Sequence, residues 1–277
     1  MSNHGFSRES SHVRAEDAGY DGLGKILDRA SHVRFSLVVP AHNEERLLPR
    51  LLESVEVARD RYRGGPQAVE VIVADNASTD VTANIARERG CRVVQVEERR
   101  IASVRNGGAS IADGEILCFV DADSELHPDT FNAIEGALAG GYVVAGATGV
   151  RMERWSVGIA VTYAIFMPLV WFLRMDTGVV FCMKEDFLAI GGYDERRFFA
   201  EDVQLLWDLR RLGRRRKQRL TRLRTVKALG STRKFDIHGD WHYISDLFRL
   251  VPKMLWSPKA TSDFAEKYWY GKQRTPD

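Results

Sequence analysis

The sequence predicts an α/β protein: an open, mostly parallel central sheet flanked by helices, with a helical C-terminal extension. Three observations predict it. From Phe35 to Val120 short apolar runs alternate with helical patterns, the order that builds a parallel sheet with helices on both faces. Polar clusters close three of those runs, at Pro40-Ala41-His42-Asn43, Asp75-Asn76 and Asp121-Ala122-Asp123, and such sheets bind ligands beyond the carboxyl ends of their strands. Near the C-terminus, Ile244, Leu247, Phe248, Val251 and Leu255 recur at helical spacing.

The elements follow in order. Residues 1–33 are polar with weak periodicity and read as a flexible N-terminal tail, with one short helix near Leu23–Ala30. Phe35–Val39 reads as a strand stopped by Pro40. Glu44–Arg59 carries Leu47, Leu48, Leu51, Leu52, Val55 and Ala58 at helical spacing. Gly64-Gly65-Pro66 breaks the chain, and Val69–Ala74 is a second strand. Ser78-Thr79-Asp80 opens a helix that Gly90 closes. Val93–Val96 is a strand, Ile101–Ala112 a helix, and Glu115–Val120 the strand that ends at the carboxylate pair. Beyond it, His127–Leu138 reads as helix, Tyr142–Thr148 and Gly178–Met183 as strands, and Phe187–Ile190 with Gly191-Gly192-Tyr193 leads toward the next helix. Ala200-Glu201-Asp202 leads a helix through Leu212.

Composition bounds the function. The chain has 277 residues, 44% hydrophobic and 28% charged, ordinary for a soluble globular protein with a proper core. Cys91, Cys118 and Cys182 lack metal-type spacing and read as thiols of a reducing compartment. The N-terminus is polar, so no signal peptide is expected, and a cytoplasmic location follows. Net charge is +2, but nine of the 40 basic residues crowd into Arg210–Arg224 with no acid among them. That stretch reads as a solvated helix face and loop, or as a contact for an anionic membrane surface at the inner face of a membrane. No nucleic-acid motif accompanies it. Ser156–Leu173 holds eighteen uncharged residues interrupted by Pro168. It reads as a buried or interfacial helix rather than a membrane span.

Asp121 and Asp123 close a buried apolar run, a costly arrangement unless something cationic meets them. Residues two apart on a strand share a face, and a divalent ion carrying a phosphorylated ligand wants one or two such hard carboxylates. Blander readings exist: Asp121 as a loop cap, and Asp123-Ser124 as the N-cap of the next helix. A phosphatase of the haloacid-dehalogenase type also ends an apolar strand in Asp-x-Asp. It expects Thr or Val where this chain has Glu125, and it uses the first strand rather than the fourth.

Five blocks in order resemble glycosyltransferase family 2. They are Val38–Glu45 (VVPAHNEE), Ala74–Asp80 (ADNASTD), Ala102–Gly108 (ASVRNGG), Asp121-Ala122-Asp123, and Gly191–Glu195 (GGYDE) followed by Glu201–Leu205 (EDVQL). The resemblance implies a GT-A type fold in a single domain over 34–235, with a nucleotide-binding half (34–125) and an acceptor half (126–235), before the extension at 236–277. It implies an inverting transfer from a nucleotide-diphosphate sugar to an acceptor hydroxyl. UDP-sugar is the expected donor and GDP-mannose the second, with Mn2+ or Mg2+ as cofactor. The acceptor, whether glycan, lipid-linked or small molecule, is left open.

Position by position, the resemblance places Pro40 and Ala41 at the nucleoside, Glu44 near ribose or uracil, and Asp75 or Asn76 on the base edge. Arg105 would neutralise diphosphate charge. Asp121 would contact ribose or a metal-bound water, and Asp123 the metal. Asp202 would act as general base on the acceptor hydroxyl. A tail resembling one small soluble branch, Ser231–Phe235 and His238–Trp241, offers Arg233 or Lys234 to the diphosphate and His238 as a further metal ligand. Two rivals stand beside this reading. A sugar nucleotidyltransferase would need a Gly-rich loop after the first strand, which PAHN is not. A non-catalytic nucleotide-sugar-binding scaffold would have no chemical reason to keep Arg105, Asp121, Asp123 and Asp202 together.

Overall fold

The computed structural model describes residues 32–173, 178–197 and 201–241, without the side chains of 166–173, Lys234 and His238. The expected N-terminal tail and the amphipathic stretch from Tyr243 fall outside the described residues. Val33 opens the compact unit that holds every element below. In chain order these are β1 (Phe35–Ala41), α1 (Leu48–Asp60), β2 (Val69–Asp75), α2 (Thr82–Glu88), β3 (Arg92–Gln95), α3 (Ile101–Ser110), β4 (Ile116–Phe119), β5 (Ser124–Glu125) and α4 (Thr130–Leu138). They continue with β6 (Val143–Met152), α5 (Val157–Leu173), β7 (Val180–Met183), α6 (Lys184–Ala189), α7 (Glu201–Arg215), β8 (Arg219–Gly230) and α8 (Arg233–His238).

One sheet runs β3-β2-β1-β4-β7-β6-β8-β5. Its first four strands are parallel, as expected. β7 is antiparallel to both β4 and β6, while β8 joins β6 in parallel. The chain builds outward from β1 to β3 and then returns to the other side of β1 as β4. That reversal makes a topological switch point between β1 and β4, where an open α/β sheet leaves a crevice. Their strands are buried on both faces, which is why they read as unbroken apolar runs. Ile116 and Cys118 point toward α1 and α4, and Leu117 and Phe119 toward α3, α6 and α7.

The differences from expectation have physical causes. β1 does not stop at Pro40 but continues to Ala41, because β4 pairs with β1 only as far as Val38. The missing N–H of Pro40 therefore faces no partner strand. Helix α1 begins at Leu48, with Pro49 in its first turn, rather than at Glu44. Helix α2 begins at Thr82: Ser78 and Thr79 bond the loop after β1, while Asp80 accepts the Glu45 N–H on one oxygen and the Thr82 N–H (2.9 Å) on the other. Asp123-Ser124 is not a helix N-cap: Ser124 opens the two-residue strand β5, and α4 starts at Thr130. The basic stretch splits between the end of α7 and an unforeseen strand, β8.

Candidate active site

The site grows from the loops at the carboxyl ends of β1, β2 and β4. The loop after β1 and the loop after β2 hold each other by reciprocal bonds. The Asn43 N–H donates to Ser78 Oγ (3.0 Å), the Thr79 N–H to Asn43 Oδ1 (2.8 Å), and the Glu44 N–H to Thr82 Oγ1 (2.8 Å). His42 Nδ1 meets the Asn76 carbonyl at 2.6 Å. Asn43 and Ala77 both adopt left-handed backbone, φ 54° and 51°, which Asn tolerates and Ala disfavours. These bonds place Pro40, Ala41 and Glu44 beside Asp75 and Asn76.

Asp75 and Asn76 are each only 2% exposed. The Asn76 amide donates to the carbonyls of Val96 (2.7 Å) and Glu98 (3.0 Å), so its donors are used by the fold. Asp75 Oδ1 is buried with no hydrogen-bond partner. A buried acceptor without a donor is costly in a native protein, and its position at a strand end fits an N–H brought by a ligand.

Arg105 is the centre of the other half. It lies on α3, 5% exposed at its side chain. Its Nη2 donates to Asp121 Oδ1 (2.9 Å), and its Nη1 to Glu201 Oε1 (2.9 Å) and Asp202 Oδ1 (2.8 Å). Three carboxylates from two distant segments thus meet one guanidinium. The Tyr193 hydroxyl donates to Asp202 Oδ1 (2.9 Å), and the Arg105 guanidinium carbon sits 5.3 Å from the Tyr193 ring centroid. Burial opposes the Arg105 charge, but Asp202, Tyr193, Asp121 and Glu201 outweigh it and hold the guanidinium well above its ordinary pKa. Burial pushes the Asp202 carboxyl up; Arg105 pulls it down, Asp121 adds to the rise, and the net direction is up. Glu201 is raised in the same way, by burial first. One cation among three carboxylates explains both directions.

Two residues without a sequence-derived role complete this centre. Asn106 clamps the backbone of Tyr193 at both ends: its Oδ1 accepts the Tyr193 N–H (2.9 Å) and its Nδ2 donates to the Tyr193 carbonyl (3.0 Å). Gly192 makes room for this clamp. It has φ 74°, and a Cβ there would stand 2.7 Å from Asn106 Oδ1. Tyr193 itself packs edge-on to Phe119, with ring centroids 5.1 Å apart. The signal was present in the adjacency of Asn106 to Arg105 and in the hydroxyl within GGYDE. Neither shows its partner without the fold.

Helix α3 carries Arg105 and Asn106 close to the sheet because Gly108 is small. A Cβ at Gly108 would lie 2.4 Å from Val38 Cγ1. Gly108→Val should cost about 1–3 kcal/mol through overpacking. It should also lower activity by shifting Arg105, as thermal melting read beside an activity assay would show.

The C-terminal part of the described chain returns to the same place. Arg233 binds Glu44 with both arms of its guanidinium, Nη1 to Oε2 (2.9 Å) and Nη2 to Oε1 (2.7 Å), and its Nη2 lies 3.8 Å from Asp123 Oδ2. Arg233 thus spans the expected nucleoside and metal positions. The side chains of Lys234 and His238 lie outside the described residues. Among the described residues no group of three or more His, Cys, Asp or Glu side chains could hold a metal by itself. Asp121 and Asp123 offer hard carboxylate oxygens at one strand end, a donor set that suits Mg2+ or Mn2+ arriving with a diphosphate that supplies further ligands.

The model of the family described as Glycosyl transferase family 2 matches residues 36–176, half of the chain. The chain belongs to glycosyltransferase family 2. The matched segment covers β1 to α5 and includes Arg105, Asp121 and Asp123. Among curated relatives, this family 2 chain is 35% identical over 117 residues to a validoxylamine A glucosyltransferase of Streptomyces hygroscopicus subsp. limoneus. That match covers 40% of this chain and 25% of the relative, so the chain spans about a quarter of that protein's length. Among solved structures, it superposes on the mannosyltransferase PcManGT from Pyrobaculum calidifontis, in complex with GDP-Man and Mn2+. The TM-score is 0.58 at 20% identity, over 87% of this chain and 70% of the other. It also superposes on the glucosyl-3-phosphoglycerate synthase of Mycobacterium tuberculosis in complex with Mn2+, UDP and phosphoglyceric acid. There the TM-score is 0.53 at 21% identity, over 80% and 78%. These likenesses establish the fold, the GT-A type expected of the family.

Proposed function

We propose that this family 2 chain moves a sugar from a nucleotide-diphosphate sugar to an acceptor hydroxyl, with inversion and with a divalent metal. The observation that carries the proposal is the Arg105 centre, which joins the strand-end carboxylate Asp121 to Asp202 on α7. The donor side and the acceptor side of a displacement are thereby held by one side chain. Asp75 would accept the N–H of the base through its partnerless oxygen, with Pro40 and Ala41 lining the nucleoside. Uracil supplies such an N–H, as does guanine, so UDP-sugar and GDP-mannose both fit; the family's usage favours UDP. Asn76 spends its amide N–H groups on backbone carbonyls, but its Oδ1 is buried without a partner like that of Asp75 and offers a second acceptor at the base edge.

Asp121 and Asp123 would hold Mn2+ or Mg2+, as the metal-bound relatives suggest. When bound, the metal supplies Lewis acidity to the leaving diphosphate. Arg233, beside Glu44 and Asp123, is placed to meet the same negative charge. Arg105 takes a different part from the one the resemblance implied. With its Nη groups on three carboxylates, it orients Asp202 and Asp121 instead of gripping the diphosphate. Asp202 takes the acceptor proton as the hydroxyl attacks opposite the diphosphate, and inversion follows from that single displacement. Burial raises its pKa, which makes it a stronger base than an exposed carboxylate.

Thermal shift with UDP, GDP and TDP tests the reading. One nucleotide with Mn2+ should raise the melting temperature by mass action, and Asp123→Ala should remove the metal-dependent part. No shift with any of the three would overturn it. The pH profile gives a second check. A base must be unprotonated, so activity should fall as pH drops through the raised Asp202 pKa. The Tyr193 hydroxyl holds that pKa down; Tyr193→Phe should therefore move the acid limb to higher pH. An unmoved limb would separate Tyr193 from the base.

A further inference from the structure

Helix α5 is apolar outward as well as inward. Its outward positions, Val157, Ala160, Val161, Ala164 and Ile165, follow helical spacing and are all apolar. Its buried positions are Gly158, Ile159 and Thr162. Val157 is 74% exposed and Ile165 48%. A contiguous exposed apolar stripe marks an interaction surface. Its rim identifies the partner. Tyr163 flanks the stripe and carries exposed Trp155 edge-on at 5.2 Å between ring centroids. Beyond Tyr163 lies Arg222, half-buried, its charge disfavoured first by burial and then by Arg224 and favoured by Tyr163. The β6–β8 register jumps from Thr148↔Leu223 to Gly149↔Lys227, so Arg224 and Thr225 bulge out, exposed, beside the strand whose Val150 carbonyl accepts from Tyr163 (3.5 Å).

We propose that the outward face of α5, with Trp155, Tyr163 and the basic bulge of β8, docks the protein on an anionic lipid surface. Apolar residues would enter the headgroup boundary, the aromatic pair would sit at its level, and the exposed Arg224 and Lys227 would meet anionic headgroups. The helix lies on the bilayer rather than through it: among the described residues no helix is long and apolar enough to cross a membrane. The aromatic rim and the basic bulge of β8 together favour lipid over a second copy of the chain, whose matching bulge would bring like charges together. The proposal does not depend on the catalytic reading.

Cosedimentation of the full chain with phosphatidylcholine vesicles, with and without phosphatidylglycerol, tests it. The chain should partition about tenfold more strongly onto the anionic vesicles, and salt should weaken the binding. The double variant Val161→Glu/Ile165→Glu, at exposed positions, should lose about tenfold in partitioning while keeping its melting temperature and nucleotide binding. Equal binding to neutral vesicles, no binding at all, or an unaffected double variant would overturn the proposal. So would a dimer in sedimentation velocity that the same substitutions dissolve without any vesicle binding, which would assign the stripe to a second copy.

Discussion

Asp202→Asn should reduce sugar transfer by about 10²–10⁴-fold, the range a positioned general base contributes, while nucleotide binding stays near that of the parent. The amide keeps the shape and keeps an oxygen for Arg105 and Tyr193, which bond Asp202 at 2.8 and 2.9 Å. What it loses is the ability to take a proton. Steady-state kinetics should show the loss in kcat, because the acceptor proton moves only in the transition state. A large loss of nucleotide binding would instead place Asp202 on the donor side and remove it as the base. Glu201 provides the control. It shares Arg105 but is more buried, its side chain 9% exposed against 16% for Asp202. Glu201→Gln should act mainly through stability.

Arg105→Ala should be the most damaging single change to the fold among the site residues. It removes the cation from Asp121, Glu201 and Asp202 and leaves buried carboxylates uncompensated, a situation that costs about 3–5 kcal/mol. Against a typical domain stability of about 5–15 kcal/mol, that is a large share. Its pH dependence has a definite sign. Glu201 and Asp202 already have raised pKa values in the folded chain, and loss of Arg105 raises them further. The folded variant then binds protons that the unfolded chain releases, so its stability falls as pH rises from the ordinary carboxylate range through the raised values. Chemical denaturation should find the gap from the parent widest at neutral pH and narrower in acid. Arg105→Lys should recover part of the stability but less of the activity, because an ammonium cannot reproduce the fork. A variant as stable as the parent at neutral pH would contradict the central role of this guanidinium.

In the parallel half of the sheet β1, β2 and β4 were legible because they are buried on both faces and their helices on one, while β3 is a half-buried edge strand. β1 to β4 are apolar runs, α1 shows its buried stripe, and the polar clusters fall where such strands end. The boundaries were less legible where side chains bond across loops. Ser78 to Asp80 look like a helix start in sequence, yet their partners are Asn43 and Glu45, some 35 residues away. β8 was hidden by its own chemistry. Its alternation of Leu220, Arg222 and Arg224 is interrupted by the bulge before Lys227, and dense positive charge reads as solvated surface. In the site, Asp121, Asp123 and Asp202 were legible as carboxylates in recognisable blocks. The direction of Arg105 was not, because which acids surround a guanidinium is set by long-range packing. The clamp of Asn106 on Tyr193 spans 87 residues and has no local pattern at all.

In the proposed mechanism donor and acceptor chemistry meet across Arg105. A structure of the chain with a nucleotide diphosphate and Mn2+ tests it most directly. The predicted result has the base against Asp75, the diphosphate and metal at Asp121 and Asp123, and the Asp202 carboxylate clear of the diphosphate, facing the acceptor side. A nucleotide that binds without touching Asp75 or the Asp121–Asp123 pair, or one whose diphosphate displaces Asp202 from Arg105, would contradict it.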